Sequence, residues 1–265
     1  MNLKRLISTF FLLVCLFCGF SFAQPAAKLN LYKAGEKLTY EGNFSKLLLR
    51  GIDVAELSMT VYNSPDKEDY FVKAEAKSKG TLLKLFSFSF YQKVESTVDG
   101  DSLTILKTIK RDEQGDRVRD SEAVFDYTSD KVTYVETDPK DPQKPPRRVA
   151  SSINDETQDL LSGIYALRRL PFAVGKTFML SVSDSGMVYQ VPIRITGRER
   201  QKTVLGKVMC WRVEPEVFGE NRMIEQKGEM TIWITDDNRR IPVRSKIETK
   251  IGKVEIKLRK VEKAK

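Results

Sequence analysis

Five polar residues, Asp236-Asp237-Asn238-Arg239-Arg240, interrupt two apolar runs in TIWITDDNRRIPVRSKI, residues 231–247. Adjacent acids beside an amide are the raw material of carboxylate catalysis or of an oxygen-ligand calcium site. The spacing argues against both. A calcium loop needs oxygen ligands at alternating positions and a glycine. Neighbouring side chains on a strand point to opposite faces, so these two acids cannot flank one substrate. Asp and Asn instead tolerate left-handed backbone and cap turns with their own side chains. EMTIWIT before the acids alternates Met230, Ile232 and Ile234 against Thr231, Trp233 and Thr235, and IPVRSKIETKI after them is again extended. A hairpin turn is the expectation.

The remaining chemistry is limited by composition. The chain has no histidine, which removes Ser-His-Asp and Cys-His catalysis, histidine bases and ordinary zinc sites. Cys210 lies in the apolar run KVMCWRV and reads as a buried, inert thiol. Ser78-Lys79 and Ser245-Lys246 are neighbours on extended runs, so their side chains diverge. GKTF at 175–178 lacks the upstream glycines of a phosphate loop. No catalytic residue, metal or cofactor is expected.

Binding is the sharper expectation. TLLKLFSFSFYQKV places Phe86, Phe88 and Phe90 on one face of an extended run, with Ser87 and Ser89 opposite. Such a row of rings builds either a thick core or the wall of an apolar cavity. Trp211 and Trp233 complete the candidate ligand-binding set. The role this implies is non-catalytic binding of an apolar or lipid-like ligand in a β cavity. The alternative is a structural or interaction module that offers a sheet edge or a basic rim to an envelope partner. Nucleic acid is not an expected partner.

The positioning elements are strand after strand. MVYQVPIRI sets Met187, Tyr189, Val191, Ile193 and Ile195 on one face, and Pro192 suggests an edge or a bulge. AELSMTVY turns Leu57, Met59 and Val61 inward, and YFVKAEAK does the same with Tyr70, Val72, Ala74 and Ala76. Turns fall at 99–101, 114–116 and 128–130. One segment has helical spacing: Leu160, Leu161, Ile164, Leu167 and Leu170 predict a packed amphipathic helix over about 155–169, capped by Asn154 or Asp155 and ended by Pro171. Before it, DPKDPQKPPRR at 138–148 carries four prolines and reads as a loop. The fold class expected is mainly β: an antiparallel curved sheet or barrel-like sandwich with one packed helix, forming a single domain over 24–265.

The first residues have the layout of a secretory signal. Lys4 and Arg5 precede an apolar stretch from Leu6 to Phe22, and Ser21-Phe22-Ala23 is a small-x-small cleavage signal before Gln24. Bulky Val14 and Phe17 before Cys15 and Cys18 argue against lipid attachment. The expectation is export to the periplasm or beyond, with no membrane anchor after cleavage. The basic balance, formally +9 for the whole chain, suits a soluble protein or an anionic envelope surface.

Four stretches in this order carry a resemblance: AGEKLTYEG (34–42), TQDLLSGIYALRRLPFAVG (157–175), GKVMCWRVEPE (206–216) and IWITDDNRRIPV (232–243). The chain resembles the exported bacterial family called domain of unknown function 3108, in which an early GE-L-Y strand, a QD-L helix ending in LR, a glycine-started strand ending in Pro and a W-T-D–R-PV hairpin succeed one another. Ala55 in Val54-Ala55-Glu56 departs from the glycine the pattern leads one to expect before the acid. The resemblance implies a β-rich envelope protein and transfers no catalytic residue.

Overall fold

The structure, a computed structural model, describes residues 31–263 apart from 48, 66 and 67. The signal-like segment 1–23, with Cys15, Cys18 and the cleavage site before Gln24, lies outside the described residues. Among the described residues no helix is long and apolar enough to cross a membrane.

Fifteen strands form one sheet. In chain order they are β1 (Glu36–Lys46), β2 (Leu49–Asn63), β3 (Asp69–Ser78), β4 (Phe90–Asp99), β5 (Ile105–Gln114), β6 (Arg117–Asp126), β7 (Lys131–Thr137), β8 (Arg147–Ser152), β9 (Gln158–Asp159), β10 (Thr177–Asp184), β11 (Met187–Thr203), β12 (Gly206–Pro215), β13 (Gly228–Thr235), β14 (Pro242–Thr249) and β15 (Gly252–Lys263). Two helices are α1 (Gly80–Phe86) and α2 (Leu160–Arg169). Spatial order runs from β8 through β1, then β15 and back to β9. Consecutive strands from β1 to β8 and from β10 to β15 pair antiparallel, β1 pairs with β15, and β8 and β9 stand at opposite ends. The exception is β9, which lies parallel to β10.

The two ends of this sheet meet. Ser151 Oγ, on the terminal strand β8, donates to Gly186 O in the β10–β11 turn at 2.7 Å. Gly186 has φ +82°, and a Cβ there would sit 2.6 Å from that of Tyr134. Only glycine permits both the left-handed turn and this approach. The sheet therefore curls almost fully round, and side chains rather than a backbone ladder bridge the seam.

Helix α2 lies inside the curl, fastened at both ends. Asp159 Oδ1 accepts from Ser162 N at 2.6 Å, and Ser162 Oγ accepts from Asp159 N at 3.0 Å, a capping box. Asp159 Oδ2 accepts the hydroxyls of Ser96 on β4 and Thr108 on β5. One buried carboxylate thus starts the helix and ties it to the opposite wall. At the other end Arg168 is buried. Its Nη1 and Nη2 donate to Glu36 Oε1 and Oε2 at 2.8 and 3.2 Å. Nε and Nη2 donate to the carbonyls of Arg240 and Arg239 at 2.9 and 2.8 Å. The guanidinium lies 4.8 Å from the Tyr165 ring centre. Burial alone would lower the Arg168 pKa, but the hydrogen bonds and charge of Glu36 outweigh it and raise it, so the group stays charged.

The helix is shorter than its sequence spacing suggests. It begins at Leu160, not near 155, and its cap is Asp159 rather than Asn154 or Asp155. Thr157 and Asn154 hydrogen-bond within a turn, and Gln158–Asp159 pair with β10 before the helix can start. The strand that holds Pro192 is not an edge, but it does carry a bulge. β11 is paired on both sides, and its bulge lies between Ile195 and Gly197. The β12 ladder ends at the Ile193–Pro215 pair, so the missing Pro192 N–H breaks nothing on that side. Ala55 stands opposite Gly42, whose missing side chain leaves room for the alanine methyl.

Replacing Arg168 with Met leaves the Glu36 carboxylate buried and unpaired and should cost about 3–5 kcal/mol. Arg168→Met combined with Glu36→Gln should recover part of that loss in urea unfolding. A cost under about 1 kcal/mol for the single change would show that the pair does not anchor the helix.

Candidate functional site

The concave face of the sheet is not filled by α2. Glu36 begins β1 and residues 236–241 join β13 to β14, so the Arg168 contacts place the helix at that end of the curl. Against the helix lie two apolar cavities, of about 270 and 210 Å³, sharing Ala74, Gln92, Val94, Leu161 and Ile164. Leu57, Met59, Met230, Ile232 and Ile256 extend the larger wall. Ala123, Phe125 and Tyr134 extend the smaller one. Small residues on β3, Ala74 and Ala76, create the room, since each faces inward where neighbouring strands carry longer side chains.

Polar side chains line this space too, among them Lys110, Ser183 and Asp184 in the smaller cavity and Ser58 and Glu75 in the larger, but most of the exposed wall is apolar. Ser245 lines the larger cavity, and its buried Oγ has no hydrogen-bond partner among the described residues. Gln92 is held in place, because its Nε2 donates to Asp112 Oδ1 at 2.7 Å. Asp112 also accepts from Gln114 Nε2 and from Arg117 Nη1, the latter at 2.6 Å. Burial pushes the Asp112 carboxyl up, but the donors Gln92, Gln114 and Arg117 outweigh it and hold the carboxyl below its ordinary value.

The phenylalanine row is corrected by the structure. Phe86 ends helix α1, Phe88 lies in the link that follows and Phe90 opens β4, so the three do not share one strand face. Residues 80–86 turn into a helix because Thr81 and Lys79 bond back onto β2, through Asp53 O and Val54 O. Phe86 and Phe88 are 43% and 41% exposed, outside both cavities. The tryptophans are also separated. Trp211 pairs with Ile234 and Trp233 with Arg212 across the β12–β13 ladder, so the two indoles lie on opposite faces. Trp211 packs on Phe172, and its Nε1 donates to Asp236 Oδ1 at 2.7 Å. Trp233 donates to Glu199 and lies under Arg244, 4.6 Å from its ring centre. Neither indole lines a cavity.

The opening acids are turn builders. Asp237 Oδ1 accepts from Thr235 Oγ1, Arg239 N and Arg240 N at 2.8, 3.0 and 3.2 Å. Arg240 takes φ +49°. Burial raises the Asp237 pKa less than Arg239 and Thr235 lower it, so it stays ionised. Among the described residues no three His, Cys, Asp or Glu side chains gather as metal ligands would. Ser78 Oγ accepts from Phe90 N, and Lys79 pairs with Asp53. Lys246 pairs with Glu248. Burial pushes the Cys210 thiol up to about 12. The residues that line the cavities were not singled out as a site from sequence. Their only signal there is alternation, and the small Ala74 and Ala76 look like ordinary strand positions.

The model of the family "Protein of unknown function (DUF3108)" matches residues 38–259. No curated protein matches the chain. Among solved structures, the chain is similar to a β-barrel-like protein of domain of unknown function DUF1849 from Brucella abortus, with TM-score 0.58 and 10% identity over 86% of this chain and 96% of that one. That likeness concerns the fold. A protein of YmcC-like fold from Bacteroides fragilis has TM-score 0.38 and 12% identity, over 90% of this chain and 100% of that one.

Because Asp112 is held below its ordinary pKa, the unfolded chain binds more protons in acid than the folded one. Its stabilisation should be complete above about pH 4 and fade as pH falls through the depressed folded value. Asp112→Asn should cost about 1–3 kcal/mol at neutral pH and less at pH 2. An equal cost at both would sink this account.

Proposed function

Since the chain belongs to the DUF3108 family of proteins of unknown function, we propose that it is a non-catalytic binding protein of the cell envelope whose ligand is apolar and lipid-like. The observation that carries this reading is the pair of apolar cavities beneath α2 that share a wall, including Leu161 and Ile164. Each alone is smaller than the roughly 300–1,000 Å³ typical of small-molecule sites, and the two together fall within it. A largely apolar wall that includes the unpartnered hydroxyl of Ser245 suits a hydrocarbon chain carrying a polar group. The wall favours burial of methylene groups at about 0.8 kcal/mol each. The charged start and the apolar run to Phe22 support an envelope location. The polar groups described around the cavities serve as caps, turns and ion pairs, which favours binding over catalysis.

Native mass spectrometry of protein purified from cells should show a non-covalent lipid-sized adduct, and a fluorescent fatty acid should bind in solution. Ala74→Phe places a ring where both cavities share a wall. It should weaken that probe at least tenfold while leaving the melting temperature within a few degrees. Undiminished probe binding by Ala74→Phe, or no binding by the wild type, would overturn the cavity reading.

A further inference from the structure

The curl has two unlike ends. One is closed by α2 and the turns that grip Arg168. At the other, the β1–β2 turn, the α1 link and the β14–β15 turn come together. Phe44 and Phe86 meet edge to face, ring centres 5.3 Å apart. Ser45 stands opposite Lys253 in the β1–β15 ladder, and Gly252, φ +151°, lets the β14–β15 turn pass so close that a Cβ there would lie 2.7 Å from the Phe44 ring. Phe88 packs 6.4 Å from Phe90 at the start of β4.

The apolar side chains at this end point into solvent. Leu47 is 87% exposed and Ile251 62%, and Phe86, Phe88 and Leu49 are also exposed. A soluble protein rarely leaves such residues on adjacent turns unless the surface is used. Charge on these turns is one-sided. Lys46, Arg50, Lys84, Lys250 and Lys253 form no ion pair with a described residue; of the acids beside them Asp53 pairs with Lys79 and Glu248 with Lys246, which leaves Glu229, opposite Glu248, as an unpaired acid against five unpaired bases. Apolar tips inside a collar of unpaired basic groups match a bilayer interface: hydrocarbon accepts the tips, and anionic head groups answer the bases.

We propose that this end docks the protein on an anionic membrane surface, with Leu47, Phe86, Phe88 and Ile251 entering the interface and the lysines contacting lipid phosphates. The inference rests on the surface and does not require the cavity to be occupied.

The test is co-sedimentation of the full chain with vesicles of phosphatidylcholine alone and of equal phosphatidylcholine and phosphatidylglycerol. Binding should be strong only to the second and fall as salt is raised. Lys84→Ala with Lys250→Ala should weaken it about 25-fold, near fivefold for each lysine. Leu47→Ser with Phe88→Ser should weaken it at least about tenfold. These positions are exposed, so both variants should melt as the wild type does. Phe88→Trp should shift its emission to the blue when anionic vesicles are added. No binding to anionic vesicles, equal binding by the variants, or an unshifted Phe88→Trp spectrum would each overturn the proposal. Vesicle binding with no lipid in the cavity would leave it standing while removing the cargo reading.

Discussion

The Arg168 guanidinium fixes where everything else in the interior can sit. It has five N–H donors, and the protein supplies two carboxylate oxygens of Glu36 and two turn carbonyls, from Arg239 and Arg240. A buried charge is tolerated only when so fully matched. Matching it requires the start of β1 and the β13–β14 turn to converge on one helix end. Those elements are far apart in sequence but only three strands apart in the sheet, with β15 and β14 between β1 and β13. The pair therefore works as a register lock. If the sheet curled differently, the carbonyls would miss the guanidinium and an unpaired charge would remain in the core.

Asp159 does the same at the opposite end of α2 with hydrogen bonds alone. Its two oxygens divide the work, one capping the helix and one accepting hydroxyls from β4 and β5. Between these anchors the helix has little freedom to settle deeper into the concave face. Leu161 and Ile164 project toward the wall without reaching across it. The apolar space follows from that suspension: a helix held by polar bolts at both termini cannot slide to fill a gap between them. Natural cores are normally packed to crystal density, and these anchors hold open a region that is not.

Legibility in the sequence followed the range of the interaction. Period-two patterning found the strands, since Val61, Val72, Ile193 and Ile195 face inward as the alternation requires. The turn at 236–240 was readable because Asp and Asn announce turns locally. The row at 86–90 misled, because alternation of Phe and Ser cannot distinguish a strand from a helix end followed by a link. The bonds that decide between them, from Thr81 and Lys79 to β2, join distant positions. The helix start was misplaced for a similar reason. Asp155 and Asp159 are equally good caps in isolation, and pairing of Gln158–Asp159 with β10 selects the second. The cavities had no sequence signature, since a gap depends on what four or more strands place opposite one another.

The order of the family-like motifs becomes intelligible from this geometry. Glu36 and Tyr40 come from the first motif, Asp159 and Arg168 from the second, and Arg239, Arg240 and Pro242 from the last. Tyr40 Oη donates to Pro242 O at 3.0 Å, beside the Arg168 contacts. The third motif supplies Trp211, whose indole bonds Asp236 of the same turn. Motifs that look like four weak and separate signals thus meet around one turn. Their chemistry is that of a clamp: carbonyls, an ion pair and hydroxyls that hold one another, although Gln158 Oε1 and Arg169 Nη1 of the second motif are buried without a hydrogen-bond partner among the described residues. Groups spent on one another are unavailable to a substrate, so any ligand must be sought where the protein leaves surface unspent. That is the apolar space below the helix and the apolar, basic end beyond it.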